Sequence, residues 1–136
     1  METEKLLHNL FEGGEHGFGL FGKFPNGDGT FRDYDFKHRA PTLEDFKDHL
    51  EGRKSMGVVP ITRTGLAKFG VLDIDDHKKG GVKNDFDYNK LLKKIKFLKL
   101  PLTVFKSKSG GAHCYLFLDK FYKATDIKKI LNKLKI

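Results

Sequence analysis

Two aspartates placed two residues apart at the end of an apolar run constrain this chain more than any other feature. The run is Phe69-Gly70-Val71-Leu72-Asp73-Ile74-Asp75-Asp76. It has the length and character of a strand. Side chains alternate along a strand, so Asp73 and Asp75 share one face and Leu72 and Ile74 share the other, toward a core. Two adjacent carboxylates repel each other, and a cation between them removes that repulsion. Hard divalent ions such as Mg²⁺ and Mn²⁺ take oxygen ligands and pair with nucleotide phosphates. The spacing alone reads equally well as a strand ending in solvated acids.

A second segment follows, its histidine 40 residues after Asp73. Val104-Phe105-Lys106-Ser107-Lys108-Ser109-Gly110-Gly111-Ala112-His113 sets two lysines, two serines and two glycines between apolar strands, with a histidine at the start of the second. Glycines permit close backbone approach. Turn amides and serine hydroxyls donate to phosphate oxygens, and lysines bring charge. An ordinary hairpin with solvated lysines is the alternative.

The rest of the chain reads as alternating helices and strands. Thr3 is expected to cap a helix carrying Leu6, Leu7, Leu10 and Phe11, ended by Gly13-Gly14. His16 to Phe24 and Thr30 to Phe36 form a hairpin about Pro25-Asn26-Gly27-Asp28-Gly29. Thr42 caps a short helix with Leu43, Phe46 and Leu50 on one face. Val58 to Ile61 reads as an edge strand because of Pro60. A helix runs from Asp87 to about Lys99 with Tyr88, Leu91, Leu92, Ile95 and Leu98 inward. Strands follow at 102–108 and 113–118, then a helix with Ile127, Ile130, Leu131 and Leu134. The fold class is α+β, a mixed, mainly antiparallel sheet flanked by helices. One domain is expected over 1–136: an N-terminal portion at 1–50, a motif-bearing core at 52–118 and a C-terminal helix at 123–136.

Composition narrows the partners. The chain has 136 residues and a net charge of +8, which favours a polyanion such as nucleic acid. Lysines dominate 90–99 and 120–135, where they offer a backbone track or merely a solvated face. No apolar run approaches the ~20 residues that span a bilayer, and the acidic start, Met1-Glu2-Thr3-Glu4, is unlike a signal peptide. A cytoplasmic location is expected, host cytoplasm if the source is viral. Cys114 is the single cysteine and reads as a small core residue. His8, His16, His38 and His49 read as surface residues. Phe18, Phe21, Phe24 and Phe31 read as core before stacking surface.

Taken together, the two motifs resemble the archaeo-eukaryotic primase superfamily, in the form found in phage and mobile-element primase-polymerases. Val71-Leu72-Asp73-Ile74-Asp75 is similar to that family's first motif and Ser107 to Phe117 to its second, S-[RK]-S-G-G-x-H. Gly57-Val58-Val59-Pro60-Ile61 is similar to the strand before the first. The resemblance implies an RRM-like catalytic core, of which this chain would be the front part. It implies DNA primase or polymerase activity, with Asp73 and Asp75 binding Mg²⁺ or Mn²⁺ and His113 contacting a nucleoside triphosphate. Ser109 and Lys108 would share that pocket, with Lys106 nearby. The implied partners are nucleoside triphosphates, a single-stranded DNA template or primer-template, and a replicative helicase. The family's third motif, another metal-binding aspartate, has no evident counterpart, since only Asp119 and Asp126 follow His113. A metal-dependent phosphoesterase or nuclease, extending the cluster through Asp76 and His77, and a non-catalytic basic nucleic-acid-binding module are the other readings.

Overall fold

A computed structural model describes residues 2–75, 86–108, 110–134 and 136. The elements run α1 (Thr3–Leu10), β1 (Phe18–Pro25), β2 (Phe31–Lys37), α2 (Leu43–Leu50), β3 (Ser55–Val58), β4 (Leu66–Ile74), α3 (Tyr88–Phe97), β5 (Thr103–Lys106), β6 (Ala112–Lys123) and α4 (Ala124–Lys133). The α+β class holds. The single mixed sheet resolves into two three-stranded antiparallel sheets, ordered β2-β1-β3 and β4-β6-β5.

Local chemistry sets most boundaries. Thr42 caps α2 by a reciprocal box in which its hydroxyl accepts from the Asp45 amide and the Asp45 carboxylate accepts from the Thr42 amide, satisfying two otherwise orphaned donors. Asp87 accepts from the Lys90 amide and caps α3. Thr3 does not cap α1. It is the first helical residue, and Glu2 occupies the cap position without a side-chain bond. β3 stops before Val59-Pro60, as a residue without an amide proton requires.

The second sheet carries the core. On one face, Leu91 and Ile95 of α3 pack on Ala112 and Cys114, and Ile127 and Leu131 of α4 pack on Ala67 and Leu116. Leu72 bridges both clusters. Gly70 lets α4 sit close: a β-carbon there would lie 2.7 Å from Leu131 and 2.8 Å from Ile127. Cys114 is fully buried, the core residue expected. On the other face, Phe11 follows α1 and meets Phe69, Tyr115 and Phe117 edge-on at 5.2–5.3 Å. Lys68 Nζ donates to the Asn9 carbonyl and side-chain oxygen, and the Gly14 amide donates to Val59 O. These contacts hold the N-terminal elements over the lower half of that face and leave its upper end open. Of Phe18, Phe21, Phe24 and Phe31, Phe18 is buried, while Phe21 and Phe31 are exposed.

Candidate functional site

The open end of the β4-β6-β5 sheet collects the chemistry. Backbone pairing sets Asp73 of β4 opposite His113 of β6, and His113 opposite Phe105 of β5. Directly paired residues share a face, so Asp73, His113 and Phe105 form one row. Val71, Tyr115 and Thr103 form the next row inward. His113 Nε2 lies 3.5 Å from Asp73 Oδ1, with side chains 37% and 56% exposed. The two sequence motifs therefore meet side by side, on the face opposite α3 and α4. Asp75 follows β4 directly, two positions beyond Asp73.

The floor is aromatic. Tyr115 lies edge-on to Phe105 at 5.3 Å and to His113 at 6.2 Å. Burial, reinforced by the Asp73 carboxylate, pushes the Tyr115 phenol above its ordinary pKa, so it stays a neutral hydroxyl. Below it, Phe69, Tyr115, Leu7, Phe11, Phe46 and Met56 line part of a cavity of about 350 Å³.

The turn from β5 to β6 is held against the end of β4. The Ser107 amide donates to Gly111 O at 3.0 Å and the Gly110 amide to Ser107 O at 3.2 Å. Gly110 has φ +95°, a conformation that side-chain-bearing residues rarely adopt. Gly111 is required for space: a β-carbon there would fall 2.0 Å from the Ile74 carbonyl oxygen and 3.1 Å from Asp75 Cα. The glycine turn and the paired-aspartate strand are thus in backbone contact. Tyr88, at the start of α3, secures the turn from behind, its hydroxyl donating toward Gly111 O at 2.7 Å and Gly110 O at 3.1 Å.

The other predicted residues separate. Lys108 is exposed in the turn. Lys106 lies one register step from Phe105 and so on the helix face, with Nζ 5.3 Å from the Tyr88 ring centroid. It is not brought together with His113. Ser109, Asp76 and His77 lie outside the described residues. Asp119 is six residues along β6 from His113, roughly 20 Å at strand rise, and accepts a bond from Tyr122. Asp126 is in the first turn of α4, behind the sheet. Neither adds a carboxylate beside Asp73. Among the described residues, no group of three or more His, Cys, Asp or Glu is placed to hold a metal. Two exposed carboxylates still suit Mg²⁺ or Mn²⁺, since Mg²⁺ keeps several waters and binds through one or two carboxylates plus substrate phosphates.

Sequence reasoning missed the latch by Tyr88, which reads as one more inward residue of an amphipathic helix. It also missed the aromatic floor, because Phe105 and Tyr115 alternate like any strand residues. No helix is long and apolar enough to cross a membrane.

No curated protein matches the chain. A family model described as the archaeo-eukaryotic primase domain of TOTE conflict systems matches residues 30–135, from just before β2 through α4, and includes both motifs. The chain belongs to this archaeo-eukaryotic primase family, a family of primase-like nucleotidyltransferases.

Proposed function

We infer that the row Asp73–His113–Phe105 is a metal-nucleotide site for DNA-templated synthesis or extension of primers. The observation that carries this reading is the cross-strand pairing of Asp73 with His113 beside a glycine turn in backbone contact with β4. Asp73 and Asp75 would hold Mg²⁺ or Mn²⁺. Bound there, such ions supply charge that neutralises a triphosphate and lowers the pKa of an attacking 3′-hydroxyl. His113 contacts the triphosphate, with Lys108 and Ser109 of the turn completing the anion pocket. Phe105 and Tyr115 form an aromatic floor beside the pair. A single-stranded template or primer-template is the second substrate, and a replicative helicase is a fitting partner.

The test is titration of a nucleoside triphosphate with Mn²⁺ into the chain, beside Asp73→Ala and His113→Ala variants first shown to be folded. Both variants should bind at least tenfold more weakly. Equal binding by folded variants would remove the site.

A further inference from the structure

The positive charge of the chain is not where the site is. α3 and the turn after it (88–99) carry Lys90, Lys93, Lys94, Lys96 and Lys99 with no acid. α4 carries Lys128, Lys129 and Lys133 against Asp126. These two stretches hold a net +7 of the chain's +8. All eight lysines are exposed, and among the described residues none has a carboxylate within ion-pair distance. In the N-terminal half, by contrast, several cations are matched: Arg32 and Lys37 with Asp35, Arg39 with Asp45, Arg53 and Lys54 with Asp48, Lys68 with Glu12. Lys90, Lys93 and Lys94 are three and four residues apart, a spacing at which like charges on a helix repel. A polyanion relieves that repulsion.

The lysines are also fixed in place. Leu91, Ile95, Ile127 and Leu131 tie both helices to the sheet, so the charged faces point away from it. Asp73 and His113 stand on the opposite face, and a strand lying in that site does not reach the helix layer through the sheet. We propose that α3 and α4 form a second surface, independent of the metal-nucleotide site, for the phosphate backbone of a nucleic-acid duplex. A duplex fits better than a single strand, which is held by stacked aromatics; α3 and α4 expose one large aromatic, Phe97, 85% exposed. It fits better than a lipid surface, because a helix lying in a membrane interface buries its main apolar face there, and these two helices bury Leu91, Ile95, Ile127 and Leu131 on the sheet, leaving only Leu92, Phe97 and Ile130 exposed among the lysines.

The experiment uses the full chain and a Lys90→Gln/Lys93→Gln/Lys94→Gln/Lys96→Gln variant. Glutamine keeps helix propensity close to lysine's, and circular dichroism checks the fold. Binding to a short fluorescent duplex is followed by anisotropy across a salt series, and nucleotide binding with Mn²⁺ is measured separately. The slope of log K against log salt should shrink by about 0.9 for each phosphate that the variant no longer neutralises. Duplex affinity should fall at least tenfold at low salt while nucleotide binding is unchanged. Asp73→Ala should leave the duplex slope as in wild type. The proposal is overturned by an unchanged slope in the lysine variant, or by loss of duplex binding in the Asp73 variant. It is equally overturned if anionic phospholipid vesicles, and not the duplex, are bound through these lysines. Duplex and nucleotide are read separately, so failure of this surface and failure of the site are distinguishable.

Discussion

Gly111→Ala should separate a turn that positions chemistry from one that merely reverses the chain. The added β-carbon would stand 2.0 Å from Ile74 O, whereas ordinary contact begins at 3.4 Å. The turn and the end of β4 must therefore part by about 1.4 Å, the difference between those two distances. Neither partner is a flexible side-chain end, so the strain falls on backbone. Overpacking of this kind costs about 1–3 kcal/mol, which for a chain of this size lowers Tm by roughly 4–12 °C. A displacement above about 1 Å near reacting groups can cost on the order of 10²-fold, so triphosphate binding with Mn²⁺ should fall at least tenfold. Gly110→Ala is the control. It meets nothing within 4 Å but sits at φ +95°. It should cost about 1–2 kcal/mol through conformation without prising the turn from β4. Thermal melts and nucleotide titration of both variants check this. Comparable stability losses with much weaker binding only for Gly111→Ala are the expected result. Wild-type affinity in a folded Gly111→Ala protein would refute the argument that backbone contact at Ile74 sets the site.

Other consequences are testable. Tyr88→Phe keeps the ring under Lys106 but removes the hydroxyl that bonds Gly110 and Gly111; it should cost about 1 kcal/mol and weaken triphosphate binding several-fold, read by melting and titration. Lys106→Gln should leave triphosphate affinity unchanged, because Nζ lies over Tyr88 on the helix face; a tenfold loss on titration would put Lys106 back in the pocket. Asp45→Ala removes the carboxylate half of the α2 capping box and the bonds to Arg39 and should cost about 2–3 kcal/mol in a denaturant melt. The Arg39 guanidinium foremost, with the Thr42 bonds, holds the Asp45 carboxyl well below the usual carboxylate range. Its stabilising contribution is therefore complete above an unfolded value of about 3.9 and is lost as pH falls below that. The stability gap between wild type and Asp45→Ala should accordingly close on acidification.

The parts of the fold that follow from short-range chemistry were legible. Thr42 and Asp87 cap their helices by accepting from backbone amides three residues on, and the Pro25–Gly29 turn needs only neighbouring residues. Thr3 failed as a cap because nothing local distinguishes a threonine before a helix from one inside its first turn. The period of two put Asp73 and His113 each on a definite face of its own strand. What the period cannot give is register between strands. Whether Asp73 would stand opposite His113 depends on where the Ser107–Gly111 turn closes, and that is decided by Gly111 seated on Ile74, a contact 37 residues apart in sequence. Lys106 shows the same limit from the other side. Its proximity to the motif in sequence placed it in the pocket, but one step along a strand reverses the face.

That alternation also ties the site to the core. If β4 slipped by one residue against β6, Leu72 and Ile74 would face water, and Asp73 would turn toward Leu91 and Ile95. A carboxylate buried there without a partner is strongly disfavoured, and the apolar area now shared by both helix clusters would be exposed. The burial that stabilises the sheet thus excludes the register in which Asp73 and His113 face opposite ways. The carboxylate–histidine pair need contribute nothing to its own placement: Asp73 and His113 can remain exposed, with 3.5 Å between their nearest atoms, because Leu72, Ile74, Ala112 and Cys114 hold them there. A surface pair positioned in this way keeps its lone pairs and charge for a ligand.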